Sequence, residues 1–444
     1  ADVAMDRYLS VCACASVHGI CYDIDRSFIL FRSSLVGHIM KKMSSKIETL
    51  IIGAGPSGLA CAIQCHKDNK PFLLIEQSDR VGGRVGSFEE DGFIFDLGFQ
   101  VYNTAYEVTN SLLDIDAISL NNFRPGATIH DGTSFQIISD PLRDISQAFA
   151  TLFSDISTIS DKIRVLKLKS SLKGYEINKD SETDIDTHKF LSNQGFSERM
   201  IEMFFRPFFS GIFLENKLET SSKFFKYVFS TFNTGLASLP DEGMQSIPND
   251  LLKRIDSQQV LFHKRVVKID QEKNVYFEDG SSLGAKNVVL TGGTTNISAE
   301  SPKEYNSAKT IYFCSKVTPL KGNYIHLYPC DEIINNIAIP TSISSAYSKN
   351  GDHLYSVTVM NNDISKIDLI DSIQGKLSDY YGGVKSDYEY LKYLEIKKGT
   401  LKQMPGYFYD SVKNENGIIY SGESQVNGCI EGAVISGIEA ANLI

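Results

Sequence analysis

Tryptophan is absent from this 444-residue chain, and cysteine, at eight residues, is scarce. So few thiols over such a length exclude a disulfide scaffold, and none falls in the paired Cys-x-x-Cys spacing of a structural zinc site. A reducing compartment is therefore expected. Cys61 and Cys65, four apart on what reads as one helix, are taken as small packing residues, as are Cys12 and Cys14 beside His18. Basic residues are outnumbered, 44 Lys and Arg against 54 Asp and Glu, and the net charge is -10. That balance argues against nucleic acid, whose binding needs clustered cations on phosphates. No apolar run reaches the roughly 18 residues that span a bilayer, so the expected location is cytoplasmic or peripheral to a membrane. No targeting signal is expected either. Residues 1–44 carry Asp2, Asp6, Asp23 and Asp25, unlike an acid-poor transit helix, and have no charged start before a clean apolar core. With Met40 and Met43 just before the first strand, this leader is read as an extension, non-native or disordered, without function.

What is present suffices for a large core: 42% of the residues are hydrophobic and 22% charged, the balance of a globular protein of two or three domains. β-branched and Leu-rich runs bounded by turn residues predict strands at Thr49–Ile52, Phe72–Ile75, Val260–Ile269, Val275–Glu278 and Val288–Thr291. From about 105 to 235 the pattern is mostly helical, as in Asp144–Leu172. Beyond 305, Thr310–Cys314, Tyr324–Tyr328 and Tyr355–Val359 predict an antiparallel sheet closed by a helix over Ser365–Tyr380. The fold class expected is α/β: a nucleotide-binding domain built from 45–110, 240–300 and 408–444, with an inserted α+β substrate domain from 111–239 and 301–407.

The most informative segment is the apolar strand Leu50-Ile51-Ile52 running into Gly53-Ala54-Gly55-Pro56-Ser57-Gly58 and a small-residue helix. This is the Gly-x-Gly-x-x-Gly fingerprint of a Rossmann βαβ unit in its required context. Gly53 permits the tight turn, Gly55 lets a pyrophosphate approach bare backbone, and Gly58 lets the helix pack on the strand. The helix N-terminus offers free N–H groups to phosphate. After the second strand comes Glu76, placed to accept from ribose hydroxyls, followed by Gln77.

Ser78-Asp79-Arg80-Val81-Gly82-Gly83-Arg84 then resembles the Gly-Gly-Arg signature of the flavin amine oxidase superfamily, which includes amine oxidases, protoporphyrinogen oxidase and carotenoid desaturases. Gly82 and Gly83 leave the backbone bare, and Arg84 supplies a planar cation to the diphosphate. Other landmarks follow in order over most of 47–444. Phe95-Asp96-Leu97-Gly98-Phe99-Gln100 resembles the segment beside the flavin ring, Pro240-Asp241-Glu242-Gly243-Met244 the return to the FAD domain, and Val266 the position whose backbone meets adenine. Ser421-Gly422-Glu423 and Cys429-Ile430-Glu431-Gly432-Ala433 resemble the closing strand and helix, with Glu423 replacing the more frequent Asp. The resemblance implies that Glu423 bonds the ribityl or pyrophosphate region, and that a helix beginning near Glu431 points its positive end at the flavin N1 and C2 carbonyl.

The resemblance implies FAD, and because Cys429 lies in the turn to the last helix, where the covalent flavin cysteine of monoamine oxidases does not, FAD is expected to be non-covalent. Only one dinucleotide fingerprint is evident, Gly292-Gly293 being too poor a match for a second, so electrons are expected to come from the substrate. Phe204-Phe205-Arg206-Pro207-Phe208-Phe209-Ser210-Gly211-Ile212-Phe213, with Phe224, Phe225, Tyr227, Phe229 and Phe232, is unusually aromatic. Most of these rings read as core, and some as lining an apolar chamber or a membrane-dipping face. The expected function is dehydrogenation of an apolar small molecule by hydride transfer to flavin N5. The alternatives are oxidation of an amine, for which Tyr407 and Tyr409 are weak cage candidates, and a non-catalytic FAD-binding role. No catalytic base is named and no metal is expected.

Overall fold

Five largely buried β-branched and leucine-rich segments meet side by side to make the sheet on which the glycine loop is mounted. The computed structural model describes residues 46–139, 156–292, 297, 303–320, 322–360, 364–407 and 412–444. The extension at 1–44, Gly293 and Tyr409 lie outside these residues. The strand Ile47–Ile52 pairs in parallel with Leu73–Ile75 on one side and with Ser282–Leu290 on the other. Val260–Leu261 and Ile418–Tyr420 extend the parallel set outward. Both faces of such strands are covered, which is why Leu50, Ile51, Val288 and Val289 are all buried and why the runs are continuous rather than alternating. The eight-stranded sheet forks at Ser282–Leu290, which also carries the antiparallel strands Asn274–Phe277 and Val266–Ile269.

Two helices pack on this sheet and on each other: the fingerprint helix Pro56–Lys67 and the C-terminal helix Ile430–Asn442. Their closeness depends on glycine. A Cβ on Gly437 would lie 2.1 Å from the Ser57 carbonyl oxygen, and one on Gly58 would lie 1.9 Å from that of Gly53.

A seven-stranded sheet runs in the order Glu389–Leu401, Tyr305–Ser315, His353–Val359, Ile334–Ala338, Ile325–Leu327, Gly126–His130, Phe135–Ser139. It is antiparallel except where Ile325–Leu327 meets Gly126–His130. Helix Lys366–Tyr381 covers one face, burying Leu369, Ile373 and Leu377 against Ile311, Phe313 and Val357. A helical cluster, from Ile159–Ser171 to Ser222–Thr234, has its own phenylalanine-rich core.

Four details differ from the sequence reading. The run Val260–Ile269 is two strands, broken where His263 takes a left-handed φ of 57° and the chain turns over the end of Leu73–Ile75. The block read as mostly helical begins with two short helices, Glu107–Asn110 and Ile115–Ile118, and then carries strands at Leu120–Asn122, Gly126–His130 and Phe135–Ser139. Within Asp144–Leu172, read as helical, 144–155 lie outside the described residues and 156–158 are a turn ending in the cap Thr158, so the helix seen is Ile159–Ser171. Ile334–Ala338 and Glu389–Leu401 are strands that were not expected. The latter is a long edge whose charged side chains face solvent, a pattern that protects an edge and hides the strand's periodicity.

Candidate cofactor site

The fingerprint loop and the Gly-Gly-Arg loop face each other at the carboxyl end of the parallel strands. Gly53 has φ 99° and donates its N–H to the Ile75 carbonyl at 2.8 Å, and Gly82, φ 109°, donates to the Ala54 carbonyl at 2.8 Å. Between them the floor is bare. A Cβ built on Gly83 would approach the Gly55 Cα at 3.7 Å, while one on Gly55 meets nothing nearer than the Gly82 carbonyl at 4.0 Å. Gly55 also stands just before Pro56, the first helical residue, so unpaired N–H groups of the helix open onto this trough.

Glu76 ends the second strand with its carboxylate buried against the loop. Its Oε2 accepts from the Ala54 N–H at 2.9 Å, and its Oε1 from the Ser78 N–H at 2.9 Å and the Ser78 hydroxyl at 2.8 Å. Four lone-pair directions are available to a carboxylate, so one remains for a ribose hydroxyl. Gln77 beside it is exposed. The turn at 261–266 crosses here: Glu76 donates its N–H to the Leu261 carbonyl, and Lys264 donates to that of Glu76. Val266 follows, half-buried and paired with Phe277.

Arg84 reaches from the Gly-Gly-Arg loop to the C-terminal segment, where its Nη2 is ion-paired with the Glu423 Oε1. Gln100 holds the loop from below, its Nε2 donating to the Arg84 carbonyl at 2.9 Å and the Leu97 carbonyl at 2.8 Å. Gly98, φ 88°, lies against the other sheet, where a Cβ would sit 3.2 Å from Ile396 and 3.6 Å from the Thr310 hydroxyl. Gly422, φ 124°, backs onto Gly292, whose N lies 2.8 Å from where a Cβ would be. Ile430 opens the last helix, half-buried, and Ala433 is buried one turn on.

For three predicted residues the side chain is committed elsewhere. Ser57 shares a buried 2.7 Å hydrogen bond with Ser421, which bonds Ser436, tying the fingerprint helix to the C-terminal one. Phe99 packs edge-on against Phe123 at 6.1 Å. Glu431 accepts from the N–H groups of Val108 at 2.8 Å and Thr109 at 2.9 Å, capping the short helix Glu107–Asn110. The buried side chains of Ser57 and Glu431 thereby leave only their backbone facing the trough, while Phe99 stays half-buried. Cys429 is likewise engaged: its thiol donates to Asn427 Oδ1 at 2.8 Å and accepts from the Gly432 N–H at 3.3 Å, capping the last helix. Burial pushes that thiol up to about 11. The sequence reading missed Gly292 and Tyr305, which flank Glu423. Gly292 was visible only as a poor second fingerprint, and Tyr305 carries no motif.

The trough thus offers bare backbone, helix N–H groups and a cation to a diphosphate, and a carboxylate to a ribose, which fits a flavin dinucleotide. Residues 56–444 match the family model described as flavin containing amine oxidoreductase. The chain belongs to that family. FAD is its cofactor. Among the relatives of this family member, 1-hydroxycarotenoid 3,4-desaturase of Flavobacterium sp. (strain P99-3) is 28% identical over 186 residues, 40% of this chain and 36% of the relative. Protoporphyrinogen oxidase 1, chloroplastic, of Arabidopsis thaliana is 28% identical over 188 residues, 40% of this chain and 32% of the relative. The matched part therefore spans about a third of the length of these curated relatives. A solved putrescine oxidase, the wild type bound to putrescine, superposes with a TM-score of 0.67 over 90% of this chain and 98% of that one at 17% identity, a likeness of fold.

Proposed function

We propose that this family member uses FAD to dehydrogenate an apolar organic molecule, as a desaturase does. The observation that carries this reading is the aromatic pair of helices Arg206–Phe213 and Ser222–Thr234. Phe205, Phe209, Phe213 and Phe225 fill the core between them, whereas Phe204, Phe208, Phe229 and Phe232 are only partly buried, with Phe208 against Phe232 at 5.6 Å. Such a wall gains about 0.8 kcal/mol for each CH₂ it buries, whereas an ammonium ion losing its water finds ring faces there but no carboxylate or carbonyl acceptor among the phenylalanines. The carboxylates around the cluster already have partners: Glu202 with Arg206, Asp180 with Lys226, and Asp184 with Ser221, Ser222 and the Gly406 N–H. The names of the desaturase and protoporphyrinogen oxidase relatives support the same direction.

FAD, when bound, supplies the acceptor for the two electrons removed from the substrate. The chain's part is to hold that substrate against aromatic surface and keep water away. Anaerobic mixing of the holoprotein with a panel of candidates tests this. Apolar polyenes should bleach the flavin absorbance while benzylamine and polyamines leave it unchanged. The reverse pattern assigns amine oxidation, and bleaching by neither assigns a non-catalytic role. The cofactor is proposed to be non-covalent, so FAD should stay in solution when the protein is precipitated with acid.

The division into a nucleotide-binding domain and an inserted substrate domain stays part of this proposal, as does peripheral contact with a membrane. Among the described residues no helix is long and apolar enough to cross one. Support for surface contact comes from helix Ile159–Ser171, not from the aromatic helices. Ile159, Ile163 and Leu166 form an exposed ridge, 72%, 50% and 47% accessible, flanked by Lys162, Lys167 and Lys173. An apolar ridge between bases suits an anionic bilayer surface. Ile163→Glu should reduce cosedimentation with phosphatidylserine-containing vesicles, and equal sedimentation of both proteins would count against this surface.

A further inference from the structure

We propose that Tyr305 is a positioning residue of the cofactor cleft, holding Arg84 and Glu423 in the arrangement that FAD meets. Tyr305 is the first residue of the strand Tyr305–Ser315, so it belongs to the seven-stranded sheet and not to the one carrying the glycine loop. It touches both members of the ion pair. Its hydroxyl donates to the Glu423 Oε1 at 3.2 Å, and its ring lies under the Arg84 guanidinium, with Cζ 5.1 Å from the centroid. Lys398, on the neighbouring edge strand, is 5.6 Å from the same centroid.

Without such a restraint the pair is poorly suited to its task. The Arg84 side chain is 43% accessible, and a guanidinium on a free stem loses about 2 kcal/mol of rotamer entropy when a ligand fixes it. Stacking on Tyr305 removes part of that freedom before FAD arrives, which is how preorganisation raises affinity. Glu423 poses the opposite problem, since a buried carboxylate beside a diphosphate is repulsive unless its charge is neutralised and its free oxygen aimed at a donor. Arg84 and the Tyr305 hydroxyl both engage Oε1. The other oxygen, Oε2, lies 2.9 Å from where a Cβ on Gly292 would stand, so it occupies space that only glycine leaves open. Oε2 is the atom left to accept from a cofactor hydroxyl.

This inference rests on reading Arg84 and Glu423 as cofactor contacts, and its test separates the two. FAD affinity of the apoprotein is measured by quenching of flavin fluorescence for wild type, Arg84→Ala, Tyr305→Phe, Tyr305→Leu, Glu423→Gln and the Tyr305→Leu/Glu423→Gln double variant, with thermal unfolding of each apoprotein as the check on folding. Tyr305→Phe keeps the ring and should weaken binding a few-fold, and Tyr305→Leu should weaken it about tenfold, as loss of a cation–π contact and a hydrogen bond to a charged group implies. In the Glu423→Gln background the Tyr305→Leu effect should shrink to about half or less, because part of what Tyr305 positions has changed. Unchanged affinity in Tyr305→Leu overturns the proposal, and so does an undiminished effect in the double variant, which marks a general packing role. If Glu423→Gln and Arg84→Ala both bind FAD like wild type, the underlying reading of the site fails instead.

Discussion

Two glycines three residues apart have opposite surroundings, and that contrast makes the fingerprint testable residue by residue. A Cβ on Gly55 points into open space at an extended φ of -73°, whereas one on Gly58 runs into the Gly53 carbonyl at 1.9 Å. Gly55→Val is therefore expected to fold and to bind no FAD, since only the cofactor's diphosphate contests that space. Gly58→Val is expected not to fold. Circular dichroism with flavin titration distinguishes them, and FAD binding by folded Gly55→Val would defeat the trough as the cofactor site. Glu431, placed near the flavin by resemblance, is predicted to act on stability: Glu431→Ala leaves the Val108 and Thr109 N–H groups unpaired and should cost about 1.5 to 3 kcal/mol in denaturant unfolding. Sequence alone could place Gly53, Gly55 and Gly58 because a glycine's role is backbone geometry, which spacing encodes. It could not place the Glu431 carboxylate, because its partners lie 322 and 323 positions away.

At the scale of elements, the hairpin Ser87–Glu90/Phe93–Asp96 is anchored by one buried carboxylate. Asp96 accepts from Ser87 Oγ at 2.7 Å, the Met244 N–H at 3.0 Å and the Tyr347 hydroxyl at 3.0 Å, and its carbonyl accepts from Tyr312 at 2.9 Å. Burial outweighs these bonds and pushes the carboxyl up to about 6 from 3.8. Between those values the folded state keeps a proton that the unfolded chain releases, so stability falls as pH rises from about 4 to 6 and is level above. The loss is on the order of 3 kcal/mol at about 1.4 per unit. Comparing wild type with Asp96→Asn across that range isolates the slope, because a constant offset from the amide cancels; parallel curves would refute it. Elements of this kind were legible where burial made them continuous, as in Thr49–Ile52 and Thr310–Cys314, the buried parts of Ile47–Ile52 and Tyr305–Ser315. They were hidden where polar residues interrupted the apolar run, as in the Asn335-Asn336 pair of Ile334–Ala338, or where a left-handed residue broke it, as at His263.

Taken whole, the molecule joins segments distant in sequence at the cofactor trough: the loops at 53–58 and 82–84, the turn at 261–266 and the segment 421–433. The order of motifs along the chain revealed this assembly, but not the ties that complete it, such as Ser57 to Ser421 or Arg84 to Glu423. A ligand that touches several such segments binds the folded chain and not the unfolded one. Its stabilisation is then set by mass action, about 2.7 kcal/mol when free ligand is a hundred times Kd. Stripping FAD is therefore expected to lower the unfolding temperature, and adding it back should restore the temperature in proportion to the logarithm of FAD concentration. Gly55→Val should unfold at the temperature of the stripped wild type whatever FAD is added, because its trough is filled while its packing is intact. FMN lacks the adenosine that would reach Glu76 and the second phosphate that would lie over Gly55, so at equal concentration it should restore much less. Equal protection by FMN and FAD would place the flavin on this fold without the fingerprint loop.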